Sequence, residues 1–314
     1  MVAAPTLEHH LKLLSEIVLC LFALLPATVC GALNVVIIEG LGGEERFAGQ
    51  FAEQVAATSS AAQSLTEDSR IHVFRSDQAS REAVLKYFEM LGTILDADDQ
   101  VVVYLIGHGS YDEYQYKFNI PGPDLSGADL AIAFDNLPSR NQVLINTSSA
   151  SGGAVETLLA EHRVVISATR SGVERHATRF GNYFAVALGD PSADLDKNRI
   201  ITAQEAFDFA ARRVARYFDS NGQLATEHPR LDGERADRFK LARLGAARMP
   251  VDDIDLRELV GRRDAIAAQI DVLRLARDSM PAGQYQQQLL ESMLELALAE
   301  EAIEDRQAEL GLDD

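Results

Sequence analysis

Val101-Val102-Val103-Tyr104-Leu105-Ile106-Gly107-His108-Gly109-Ser110 is the stretch on which the fold turns: an unbroken apolar run, rich in valine, stopped by a glycine. A short run without polar alternation is what a strand buried on both faces needs, and such strands belong to parallel sheets covered by helices. Four more runs of this kind occur, Asn34 to Ile38, Ile71 to Phe74, Gln142 to Asn146 and Val164 to Ala168. The segments between them, Glu44 to Ala62, Ala79 to Leu95, Ser126 to Leu137 and Ser151 to Glu161, carry apolar residues at helical spacing, with Ser126 as an N-cap. This alternation predicts a three-layer α/β domain over residues 33–245, a mainly parallel sheet between helices. Ser110 to Pro123, with its tyrosines and the Pro121-Gly122-Pro123 turn, reads as a hairpin or functional loop.

The chain has 314 residues, room for one large domain and an appendage. Its 47 % apolar and 25 % charged residues are globular proportions, which excludes global disorder and a disulfide-stapled miniprotein. Forty-eight acidic against 29 basic side chains give a formal charge of -19, which repels phosphate backbones and anionic lipid and argues against nucleic-acid binding. Residues 1–32 stand apart: Ile17 to Ala32 form an apolar run broken by Pro26 and closed by small residues, a signal peptide or membrane anchor. As a cleaved signal it implies an exported chain, periplasmic or extracellular, with no stable membrane span afterwards. Cys20 and Cys30 both lie inside it, so the mature chain would hold no disulfide, no cysteine metal ligand and no thiol nucleophile.

In sheets of this class, ligands gather beyond the carboxyl ends of the strands. Two ends carry chemistry. Gly107-His108-Gly109-Ser110 sets an imidazole at the sheet edge between glycines that let the backbone approach a substrate, a base beside an oxyanion donor. Asn146-Thr147-Ser148-Ser149-Ala150-Ser151-Gly152-Gly153 places hydroxyl residues where a helix is expected to open, as a nucleophile, an anion site or a cap.

Together these two stretches resemble the caspase-like (caspase/hemoglobinase) peptidases, and among them the legumain, or asparaginyl endopeptidase, branch. That family has a His-Gly pair after its third core strand and a catalytic Cys after the fourth, in a Glu-Ala-Cys-x-Ser-Gly motif. Setting its Ser-Gly on Ser151-Gly152 puts Ser149 at the nucleophile, Ser148 at the Ala and Thr147 at the Glu. The resemblance implies His108 as general base and Gly109, with the Ser149 amide, as oxyanion donors. It spans roughly Leu33 to Phe218 and implies a substrate pocket lined by Thr147, Ser148, Arg170, Ser171 and Glu174, with His176 nearby. The departure is at the reacting atom, because a hydroxyl ionises far less readily than a thiol and a lone histidine activates it poorly. Asp112 and Glu113 are candidates to orient His108 but read as solvated loop residues. Loss of the Glu at Thr147 also weakens the link to cleavage after Asn.

A separate pattern runs from Asp194 to Glu205, DLDKNRIITAQE, with the spacing of an EF-hand calcium loop. Asp194, Asp196 and Asn198 stand at positions one, three and five, the Ile200 carbonyl at seven, Thr202 at nine and Glu205 at twelve, a hard-oxygen set suited to Ca²⁺. Arg199 replaces the Gly of position six, where the turn requires a positive φ, and adds a cation beside the ion. Without an ion, the same acidic turn serves as a cap for a helix from Ala203 to Phe218. Thr226-Glu227-His228-Pro229 reads as a loop feature, and His72 and His162 lack a partner pattern. After Gly245 the texture changes: Asp253 to Asp278 and Gln284 to Leu310 predict two helices joined by Ser279-Met280-Pro281-Ala282-Gly283, a hairpin within 250–314. It is either a lid on the main domain or an arm for a protein partner or homo-oligomer.

Three functional readings follow. One is a catalytically degenerate peptidase homologue that binds peptide or serves as a scaffold, another a serine hydrolase with a Ser149/His108 dyad, and the third a calcium-dependent structural module.

Overall fold

The computed structural model describes residues 31–245, 253–275 and 280–310. The apolar run expected to be a signal lies, up to Cys30, outside the described residues. Two compact units are present, up to Ala242 and from Arg243 onward.

In the first unit, β1 (Leu33–Glu39), β2 (Ile71–Phe74), β3 (Gln100–Ile106), β7 (Asn141–Asn146) and β8 (Arg163–Ser167) form the parallel part of a six-stranded sheet. Its sixth strand, β10 (Arg230–Asp232), runs antiparallel to β8, giving the order β10-β8-β7-β3-β1-β2. Val101 to Ile106 are all buried, as a two-faced central strand requires. Because successive side chains alternate faces, Val36, Ile38, Val103, Leu105, Leu144 and Val165 share one core with Val84, Phe88 and Leu91 of α2 (Arg81–Ile94) and Leu130 and Phe134 of α3 (Gly127–Asp135). On the other face Tyr104 meets Phe184 of α5 (Phe180–Ala187), whose neighbours are α1 (Glu45–Gln63) and α6 (Ala203–Ser220). These are the three layers anticipated.

Ser126 caps α3 as expected. Its hydroxyl accepts from the Asp129 amide while the Asp129 carboxylate takes the Ser126 amide, a reciprocal capping box. Arg81 forks onto the same carboxylate at 2.9 and 2.5 Å and, with the cap, lowers its pKa to about 2. The expected hairpin is a three-stranded antiparallel meander of β4 (Gly109–Tyr111), β5 (Tyr116–Phe118) and β6 (Leu125–Ser126).

The helix expected over Ser151 to Glu161 is not continuous. A 3₁₀ turn, Ser151–Ala154, leads into α4, the single helical turn Val155–Leu158, and Ala160 then bridges to Arg163. Gly152 explains the break, since a Cβ there would lie 2.3 Å from the Arg170 carbonyl carbon. The segment is set by close backbone approach rather than by helix propensity.

The second unit is the expected hairpin, α7 (Ile254–Leu275) and α8 (Ala282–Glu309), closed by Ile266, Ile270 and Ala299 with Leu289 and Leu296. Arg306 ties its ends by forking onto Asp253. The end of the first predicted helix, from residue 276 on, lies outside the described residues. No helix among the described residues is long and apolar enough to cross a membrane.

Candidate functional site

The carboxyl ends of β3 and β7 bring Gly107-His108-Gly109 against Thr147-Ser148-Ser149. Neither flanking glycine has a positive φ, so what both provide is room for close approach. A Cβ on Gly107 would press on the Phe118 ring at 2.9 Å. On Gly109 it would meet the Ser149 carbonyl at 2.5 Å and the Ser148 hydroxyl at 2.6 Å.

This close approach sets the hydrogen bonding of Ser149. The Ser149 hydroxyl donates to the Gly109 carbonyl at 2.8 Å and accepts from the Gly109 amide at 3.2 Å. In this arrangement the Ser149 proton goes to main chain rather than to His108, and the Gly109 amide donates to Ser149. Oxygen is small enough to nest in a backbone pair of this width. Ser149 is 5 % exposed, and the next residue, Ala150, is fully buried with φ 56°. Such a left-handed alanine costs roughly 1–2 kcal/mol, and its amide is anchored on the Glu174 carbonyl at 2.8 Å.

His108 stands edge-on between Phe47 and Phe51, ring centres 4.7 and 5.0 Å away. These aromatics on α1 join Gln54, Thr147, Thr178 and Gly181 around a small recess beside the imidazole. Thr147 lines the recess as expected of a binding residue, though its hydroxyl donates to the Leu105 carbonyl. Ser148 does not fit its substrate-binding assignment. It is fully buried, sharing a network with Tyr116 (2.7 Å) and Asn146 (2.8 Å), and the apolar surroundings push the Tyr116 phenol up. The Nδ2 of Asn146 has no hydrogen-bond partner there. Asp112 does not orient His108 either. Its exposed carboxylate takes Lys117 at 2.7 Å with the Gln115 and Tyr114 amides, which lower its pKa to about 2. Glu113 is exposed, at φ 77°.

Arg170, Ser171 and Glu174 lie together on the loop after β8. Arg170 is exposed, whereas Glu174 organises the loop by accepting from the Arg170 amide, the His228 amide and His228 Nδ1, the last at 2.7 Å. His176 is exposed on the same loop. Next to His228, the buried Glu227 receives the Arg179 amide at 2.8 Å and the Phe180 amide at 3.2 Å, fixing the loop where α5 begins. Burial raises the Glu227 pKa despite those donors. Nothing in spacing alone singles out Glu227 or His228, because their partners lie about fifty residues away. Gly153 and Gly172 leave no room for side chains because the Tyr111 ring rests on both, a contact that small residues on facing loops could have suggested.

The loop Asp194 to Glu205 is a second centre. Carboxylate oxygens of Asp194, Asp196 and Glu205 all lie within 4.8 Å of one another. That is the spacing of oxygens on opposite sides of an ion bound at 2.3–2.6 Å. Lys197 and Arg199 take φ of 61° and 63°, so the loop makes the positive-φ turn at position six with an arginine. Asp194 accepts the Asn198 and Arg199 amides at 3.2 and 3.0 Å. Thr202 caps α6, and Glu205 completes the capping box at its third position, so one carboxylate serves both the helix and the acidic cluster. The Asn198 side chain spans Asp196 and the Ile200 amide. Ile200 opens β9 (Ile200–Thr202), which pairs with β11 (Lys240–Arg243).

No family model and no curated protein matches the chain. Among solved structures it is similar to protein GSU0716 from Geobacter sulfurreducens, at 12 % identity and a TM-score of 0.45, over 68 % of this chain and 98 % of that one.

Proposed function

We propose that this chain is an exported, catalytically silent relative of the caspase-like peptidases, of the legumain branch, that holds a peptide or protein segment rather than cutting it. The observation that carries this reading is the Ser149 hydroxyl, tied at both lone pair and proton to Gly109 and making no hydrogen bond to His108. A serine attacks only when a base removes its proton, and here a carbonyl, which accepts the hydrogen bond but not the proton, holds that position. His108 follows the third strand of the sheet in chain order and Ser149 the fourth, as the resemblance implies, which supports common architecture without retained chemistry. The recess beside His108, walled by Phe47, Phe51 and Thr147, supplies a contact surface for a bound side chain.

Labelling the purified protein with a fluorophosphonate tests this, with Ser149→Ala and His108→Ala as controls. Folded protein should remain unlabelled. Labelling that requires both residues would establish the serine hydrolase instead.

A second reading accompanies the first: the loop Asp194 to Glu205 takes Ca²⁺ as a structural ion. The left-handed turn at Arg199 and the converging oxygens of Asp194, Asp196 and Glu205 favour it. The bound ion would neutralise buried acidic groups, and calorimetric titration with Ca²⁺ against Mg²⁺ measures whether it does.

A further inference from the structure

Helix α8 is apolar on two faces, and only one packs on α7. Leu289, Leu296 and Ala299 face Ile266 and Ile270. Elsewhere on the helix, Leu290, Met293, Leu294 and Leu298 are 71, 53, 62 and 57 % exposed. Their spacing of three, four and one places them on a single stripe about half a turn round from the packed face. Among the described side chains of α7 there is no exposed large apolar residue to match it. Exposed stripes of this kind on an otherwise paired helix mark interaction surfaces.

The charges say what fits. Glu291 and Glu295, both exposed, border the stripe, and Glu301 and Asp305 continue it toward the C-terminus. From Ala282 to Asp305 the helix carries no Lys or Arg. We propose that this face docks an amphipathic helix of another protein, apolar residues on Leu290, Leu294 and Leu298 and Lys or Arg flanks on Glu291 and Glu295. A second copy fits less well, since it brings the same acidic border and a formal charge of -19 to a surface of like sign. The inference is independent of whether Ser149 is silent.

The test is fluorescence anisotropy of the full chain with two synthetic helical peptides that share one leucine stripe, flanked by Lys in one and Glu in the other. The Lys peptide should bind at least about tenfold tighter, with a margin that shrinks at high salt. Leu290→Gln with Leu294→Gln should cost about tenfold or more in affinity while circular dichroism stays unchanged. Glu291→Lys with Glu295→Lys should reverse the preference between the peptides. Equal affinities, no binding of either peptide, or binding indifferent to these substitutions would overturn the proposal. So would a dimer in sedimentation velocity that Leu294→Gln dissolves, which would make a second copy the occupant.

Discussion

Two loops of the main unit depart from the motifs they resemble, the first at three positions, Thr147 to Ser149, and the second at one, Arg199, and the backbone answers the two departures differently. At Thr147 to Gly153, serine stands where the resemblance implies a sulfur nucleophile. Its hydroxyl is absorbed by Gly109, and the loop satisfies itself. At Asp194 to Glu205, arginine replaces a glycine and the backbone keeps its left-handed turn regardless, so the acidic oxygens still converge. In the first loop the hydroxyl is bonded to its own backbone; in the second, a residue that raises only conformational cost leaves the acidic oxygens together. The first loop is closed by its own contacts, and the second gathers three carboxylates.

The comparison breaks most sharply at Gly109. Gly109→Ala forces a methyl against Ser148 and Ser149 and should destabilise by about 3 kcal/mol in urea denaturation. An undiminished midpoint would mean the closed loop is not tight. Calcium at about a hundredfold its Kd should stabilise wild type by about 2.7 kcal/mol. Glu205→Gln, which retains an acceptor for the α6 cap, should lose most of that gain in thermal melts. Next comes Glu227→Ala, which strands the buried Phe180 amide and should cost about 2 kcal/mol while loosening the loop after β8 in hydrogen exchange.

A smaller effect separates two capping boxes of the same design. Asp129 has Arg81 beside it and a carboxyl held below its unfolded value, so its contribution is full above about pH 4 and fades as pH falls towards 2. Ser126→Ala should remove about 1 kcal/mol at neutral pH, and Asp129→Asn should flatten the acid limb of the stability curve. Glu205, in an equivalent box, shares its site with acidic groups rather than a paired arginine. The smallest effect is Arg199→Gly, which should leave stability within about 0.5 kcal/mol, as lost strain offsets gained chain entropy. It should tighten calcium binding in a titration.

Much of the fold was legible because consecutive buried valines and isoleucines cannot be mistaken for solvated chain: the five runs from Asn34 to Ala168 became the five parallel strands within a residue or two at each end. β10 was not legible, since Arg230-Leu231-Asp232 is half-buried and pairs at the sheet edge with a strand some sixty residues earlier. The positions of His108 and Ser149 at strand ends could be read from the alternation. Their hydrogen bonds could not, because the same serine facing a carbonyl or an imidazole has an identical sequence signature. The convergence of Asp194, Asp196 and Glu205 and the positive φ at Arg199 were readable, since these residues are local and their spacing is their geometry.

Glu227 holds the end of the loop after β8 and His228 its middle, yet the two are adjacent in the chain. They hang from Asn221 to Thr226, six residues that are all exposed. A single proteolytic nick in that tether would turn an intramolecular clasp into one held by non-covalent contacts alone, the β10 and β11 pairings among them. The effective concentration of its two prongs would fall together, so the loop's freedom of movement is tied to the covalent continuity of an exposed stretch outside it.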